Sequence, residues 1–137
     1  MADLRTNFLG IKSPNPFWLA SAPPTDREVN VTRAFKAGWG GVVWKTLGDG
    51  DPIVNVSGPR YGAWHGPDRR LMGLNNIELI TDRPLEINLR EIKQVKKDWP
   101  DRAVVVSLMV PCVEVFISAA QHLLRLLVVF TSIAYKP

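Results

Sequence analysis

Three short apolar runs, none of them alternating, limit what this chain can fold into. PFWLASA (16–22), GVVWK (41–45) and AVVVSLMV (103–110) place apolar residues at consecutive positions. A strand made from such a run is apolar on both faces and has to be covered on both. Two amphipathic segments separate the runs. After TDRE (25–28), where Thr25 and Glu28 have capping-box spacing, Val31, Ala34, Phe35 and Gly38 recur at intervals of three and four, with Gly38 placed to end the helix. Leu85, Leu89, Ile92, Val95 and Trp99 form a second stripe on a charged segment that Pro100 and Asp101 stop. Residues 47–75, rich in Gly, Pro, Asp and Asn and without periodicity, are read as one long loop, a kind of segment that is usually functional or disordered.

The order strand, helix, strand, loop, helix, strand predicts an α/β fold with a parallel sheet covered by helices. A doubly wound nucleotide-binding sheet calls for a glycine-rich turn directly after its first strand. That position reads SAPPT, and the glycines of GWGG precede the second strand instead. The (β/α)₈ barrel is therefore the favoured architecture.

Composition narrows the function. With 137 residues, 46% hydrophobic and 22% charged, the chain is expected to be at most one ordinary soluble domain. The net charge of +4 is modest, and the basic stretch from Arg90 to Arg102 is interleaved with Glu91, Asp98 and Asp101, the pattern of a solvated helix face rather than a nucleic-acid surface. Cys112 stands alone, which leaves no internal disulfide and no cysteine-rich zinc site. MADLRTNFLG shows no secretory pattern, so the expected compartment is the cytoplasm. VFISAAQHLLRLLVVFTSIA (115–134) approaches the roughly 20 residues that cross a bilayer. Gln121, His122 and Arg125 fall at its middle, however, and a central Arg costs roughly 2.5–3.5 kcal/mol, so a buried or aggregating segment is the expectation.

Chemistry in parallel α/β folds gathers at the carboxyl ends of strands. Those ends read Ala20-Ser21 and Lys45-Thr46. A turn or capping serine is the plain alternative for Ser21, and a snorkelling surface lysine for Lys45. Lys45 is the more pointed case, because it continues VVW and has no acidic residue within three positions. Asn75 and Asn76 follow the long loop, where ordinary turn chemistry would also place asparagine. His65 is read as a surface residue, and Cys112 as a structural or loop thiol.

NPFWLASA, AFKAGWGGVVWKT, GLNNIELIT and DWPDRAVVVSLMV together resemble the flavin domain of dihydropyrimidine dehydrogenases, within the class that includes dihydroorotate dehydrogenases. The resemblance covers residues 1–114 and implies the N-terminal part of a (β/α)₈ barrel that holds FMN at the carboxyl ends of its strands. FLGIKSPNPF resembles the β-hairpin ahead of the first barrel strand. The resemblance further implies that Ala20, Ser21, Lys45 and Thr46 contact FMN and that Asn76 binds the pyrimidine. A fixed cation beside the flavin stabilises the charge of its reduced form, and an asparagine amide offers a donor and an acceptor to an imide edge.

The implied reaction is reduction of uracil or thymine at the 5,6 double bond. Its electrons come from NAD(P)H through an iron–sulphur partner, since one cysteine cannot hold such clusters. The apolar tail, 115–137, departs from the family pattern, and Cys112 is not at the family's catalytic cysteine position. A barrel typically takes about 250 residues, so a truncated or frameshifted product is expected, inactive alone, binding FMN weakly or not at all, and with no catalytic residue of its own. Two alternatives stay open. One is a dihydroorotate dehydrogenase-like fragment, with Arg69-Arg70 meeting a substrate carboxylate. The other is a non-catalytic protein that docks a partner or membrane by its tail.

Overall fold

Gly38 sets the first helix-to-strand connection. In the computed structural model, which describes residues 2–48, 58–109 and 130–132, helix α1 (Glu28–Lys36) ends with Gly38 at φ 102°. The Gly38 N–H donates to Phe35 O at 3.0 Å and the Trp39 N–H to Ala34 O at 3.2 Å. This pair of bonds is a Schellman cap, and it needs a residue that tolerates positive φ.

The start of α1 differs from the expected capping box. Pro23 and Pro24 begin a 3₁₀ turn (Pro23–Thr25) of their own, and the Thr25 hydroxyl closes that turn by donating to Ala22 O at 2.9 Å. Extended Arg27 then precedes the helix. The Glu28 N–H is taken instead by Glu91 Oε2, at 2.9 Å, from helix α2 (Leu85–Asp98). A carboxylate there also complements the positive end of the helix dipole.

Strands β1 (Thr6–Phe8) and β2 (Ile11–Ser13) form the expected N-terminal hairpin, which turns through Leu9 and Gly10, both at positive φ. Strands β3 (Trp18–Leu19) and β4 (Gly41–Gly48) begin a parallel sheet. Residues 47–75 are not one loop. Strand β4 runs on to Gly48, and β5 (Tyr61–His65) pairs antiparallel with β6 (Leu71–Asn76). All residues of β5 and β6 are exposed, so neither face selects for alternation, and the pairing left no periodic signal to read.

Strand β7 (Ala103–Met109) joins β4, and β8 (Phe130–Ser132) joins β7, in a four-stranded parallel sheet of order β3-β4-β7-β8. Three residues of the apolar tail thus add a strand that the sequence did not suggest. Cys112, the boundary at 114–115 and the remainder of 115–134 lie outside the described residues. Among the described residues, no helix is long and apolar enough to cross a membrane.

Both faces of the sheet are covered, as the continuous apolar runs require. On one side Val31, Phe35, Ile92 and Val95 of the two helices pack on Val42, Trp44, Leu47, Val104, Val106 and Leu108. On the other, Ile11 of the hairpin and Trp18 pack on Val43, Ala103 and Val105. The buried Trp44 indole N–H donates to Asn88 Oδ1 at 3.1 Å, and the Asn88 amide donates in turn to the carbonyls of Arg83 and Pro84. A polar residue on the apolar face of α2 is thereby satisfied.

Candidate functional site

A β-bulge positions the end of β4. The register runs from Trp44 opposite Val106 to Leu47 opposite Leu108, so Lys45 and Thr46 together face Ser107. One extra residue on one strand bends it locally and re-aims its side chains. Here Thr46 Oγ1 lies 2.9 Å from Ser107 Oγ, and Lys45 turns under the segment that follows β6.

That segment makes the second wall. The Thr81 N–H donates to Thr46 O at 2.9 Å, which stitches it to β4. Lys45 Nζ donates to Leu79 O at 2.8 Å and lies 3.2 Å from Glu78 Oε1. The Lys45 and Glu78 side chains are only 5% and 6% exposed. Arg60 Nη1 reaches the same carboxylate at 2.9 Å from a more open position. Burial pushes the Glu78 carboxyl up, but the hydrogen bonds and charges of Lys45 and Arg60 outweigh it and hold the group below the ordinary glutamate value.

The result is a cleft of about 380 Å³ lined by Ser21, Ala22, Pro23, Lys45, Thr46, Asn76, Glu78, Leu79, Ile80 and Met109. It lies at the carboxyl ends of β3, β4 and β7, where parallel α/β sheets hold their ligands. A larger hollow of about 670 Å³ opens beside the hairpin and is lined by Arg5, Lys12 and Asp101 among others. Its charged groups, Arg5, Lys12 and Asp101, are exposed, and its buried hydroxyl, Ser13, is already bonded to Asn15 O and the Trp18 indole N–H, so it lacks the convergent buried polar groups that mark a ligand site.

Four of the five expected site residues, Ser21, Lys45, Thr46 and Asn76, meet in the cleft; Ala20 does not line it. Lys45 is not the unaccompanied cation that its sequence neighbourhood suggests. Its partner Glu78 lies in NIELI, a lone acid among apolar residues, and that isolation was the available signal. Asn76 does perform turn chemistry, since its Oδ1 accepts the Glu78 N–H at 2.7 Å. Arg69 and Arg70 sit in the exposed turn between β5 and β6 and do not line the cleft.

Behind the cleft lies a second polar cluster that sequence reasoning missed. Thr81 Oγ1 donates to Asp26 Oδ1 at 2.6 Å. Arg83 donates to the Asp26 carbonyl and pairs with both carboxylate oxygens of Glu91. Burial holds the Asp26 carboxyl above its ordinary value, against the Thr81 hydrogen bond and the charges of Arg83 and Lys45. The Arg83 guanidinium holds Glu91 below its ordinary value. Among the described residues, no group of three or more His, Cys, Asp and Glu is placed to hold a metal ion.

No family model matches the chain. It is 42% identical over 113 residues to the chloroplastic dihydropyrimidine dehydrogenase (NADP(+)) of Arabidopsis thaliana. It is 39% identical over 107 residues to the NAD-dependent dihydropyrimidine dehydrogenase subunit PreA of Escherichia coli K12. Each match takes in 78% of this chain and 26% of the relative, so the chain spans about a quarter of the length of these curated relatives.

Proposed function

This chain is a homologue of the dihydropyrimidine dehydrogenases over 78% of its length, and from that premise we propose that its cleft is the flavin- and pyrimidine-facing corner of an FMN-dependent oxidoreductase. The substrates are uracil or thymine, reduced at the 5,6 double bond with electrons derived from NAD(P)H. The observation that carries the reading is the convergence of Ser21, Lys45, Thr46 and Asn76 on one cleft at the strand ends.

The donor set fits a flavin edge. A volume of about 380 Å³ is within the range of small-molecule sites. Lys45 uses two of its three N–H groups on Leu79 O and Glu78 among the described residues, which leaves one to donate to a ligand. Ser21, Lys45 and Thr46 would hold the flavin, with Ala20 beside them in the turn after β3. Bound FMN supplies the hydride and electron chemistry that side chains lack. Because Glu78 neutralises Lys45, the lysine acts as an oriented donor within a net positive cluster completed by Arg60, rather than as a bare cation. The Asn76 Oδ1 is engaged by Glu78 N, so its amide N–H₂ is the group that faces a pyrimidine carbonyl.

The strand order follows chain order without reversal. That supports the opening part of a (β/α)₈ barrel over a doubly wound sheet, whose order switches direction. A partner subunit is in keeping with the E. coli relative, itself a subunit of an NAD-dependent dihydropyrimidine dehydrogenase, and in this reading that partner carries the iron–sulphur clusters. The position of Arg69 and Arg70 outside the cleft favours a neutral pyrimidine over a carboxylate-bearing one.

Titration of FMN with the 137-residue chain, followed by quenching of flavin fluorescence, tests the reading. Weak saturable binding is expected, lowered at least tenfold by Lys45→Met, without uracil turnover by the chain alone. Binding that Lys45→Met leaves unchanged, or no binding at all, would overturn the assignment of the cleft. Purification of the chain yellow, with stoichiometric flavin and NAD(P)H-linked uracil reduction, would overturn the expectation that it is inactive alone.

A further inference from the structure

Residues 77–84 have one hydrophobic anchor, the half-buried Ile80, which lies against Gly48 of β4. Ile77 and Leu79 are exposed and Asp82 and Pro84 face solvent, whereas Thr81 is buried. What else holds the segment is polar and comes from four directions. Arg60, ahead of β5, holds it through its carbonyl, which accepts the Ile77 N–H, and its guanidinium, which pairs with Glu78. β4 holds it through Thr46 O and Lys45 Nζ. The turn before α1 holds it through Asp26, which accepts from Thr81 Oγ1 by its side chain and from Arg83 by its carbonyl. Helix α2 holds it through Glu91, whose carboxylate grips Arg83 and at the same time takes the Glu28 N–H.

The consequence falls on Lys45. Its ammonium is fixed by Leu79 O and Glu78, which both belong to this segment. A bidentate arginine–carboxylate pair is rigid and directional, so Glu91 and Arg83 fix the far end of the segment, and Asp26 and Thr81 its middle. We propose that Asp26 and Arg83, which lie outside the cleft lining, are positioning residues for Lys45: they clamp 77–84 as a strap over the end of β4 and so keep the ammonium buried and aimed. The inference concerns the chain without ligand and does not depend on what the cleft binds.

Two readouts on the full 137-residue chain test it. One is the rate at which an acetylating reagent modifies Lys45, measured by mass spectrometry against the exposed Lys36 and Lys93. The other is amide hydrogen exchange in 77–83, compared with 42–44 and 104–106 in the sheet. In the wild type Lys45 should be modified at least tenfold more slowly than Lys36. In Arg83→Met the Lys45 rate should rise at least fivefold and the 77–83 amides should lose protection, while the sheet amides keep theirs; Arg83→Lys should recover only part of the effect. If the sheet also loses protection in Arg83→Met, Thr81→Val, which removes only the hydroxyl contacts to Asp26 and to Arg83 N, decides by the same two readouts. An unchanged Lys45 rate in a variant that keeps its sheet protection would overturn the proposal, whether or not the strap amides exchange faster.

Discussion

Removing the Glu78 charge should destabilise the chain more than removing the Lys45 charge, although the two make one ion pair. Both side chains are nearly buried, at 5% and 6% exposure. Loss of one partner from a buried pair costs about 3–5 kcal/mol because the other charge is left without compensation. The partners differ in what remains. In Glu78→Gln the Lys45 ammonium keeps the neutral Leu79 carbonyl and a weaker amide contact. In Lys45→Met the Glu78 carboxylate keeps Arg60 on both oxygens, at 2.9 and 3.2 Å. The pair also sits at a cleft rather than in the core, which points to the lower end of the range. The expected losses are about 3 kcal/mol for Glu78→Gln and about 1–2 kcal/mol for Lys45→Met. The double variant should be more stable than Glu78→Gln alone, since it no longer buries an unpaired cation, and the cycle should show a coupling within about 0.5–3 kcal/mol. Urea unfolding followed by tryptophan fluorescence measures all four free energies. Strictly additive losses, or a larger loss in Lys45→Met than in Glu78→Gln, would refute the argument.

Acid should weaken the fold through Glu78 and Glu91, whose partners hold them below the ordinary value of 4.5. Their contribution is present above that value and is lost as pH falls through their folded values. Asp26 has the opposite sign, because burial raises it above 3.8 and its protonated form is favoured in the fold. Stability from Asp26 therefore declines as pH rises through its folded value. Urea unfolding between about pH 3 and 7 should show a flatter acid limb in Glu91→Gln, and Asp26→Asn should remove the counter-slope. Asn88→Ala should cost about 2–3 kcal/mol, since it opens a cavity and leaves the fully buried Trp44 indole N–H without its acceptor; an unchanged urea midpoint would contradict that. Gly40→Ala should cost about 3 kcal/mol or more, because its methyl would come 2.2 Å from the Asn15 carbonyl oxygen. Asn76→Ala should lose the turn bond to Glu78 N and also weaken uracil binding, whereas Asn75→Ala, one residue along β6 and facing the other way, should do neither; equal effects at the two positions on uracil binding by equilibrium dialysis would count against the cleft.

Elements whose physics is local or periodic can be read along the chain. The consecutive apolar residues of 41–44 and 103–106 announce strands covered on both faces, and the 3.6-residue stripe from Leu85 to Trp99 announces a helix packed on one side. Gly38 marks a helix end because few other residues accept its φ. Ser21, Lys45 and Thr46 stood out as polar residues at the carboxyl ends of apolar runs, whereas Asn76 was singled out as a site residue only by the family resemblance. Other features were beyond reach because they are long-range. The β5–β6 pairing has no buried face to write a pattern, and the bulge at Lys45-Thr46 exists only relative to β7. Thr25 looked like a helix cap until two prolines took it for a turn of their own. The Lys45 ammonium looked unpaired because its carboxylate comes from a segment after β6, and the clamp formed by Asp26, Thr81, Arg83 and Glu91 joins residues with no spacing rule between them. Only the tertiary structure could decide these, since a buried charge finds its partner by proximity in space, and proximity in space is what the fold creates.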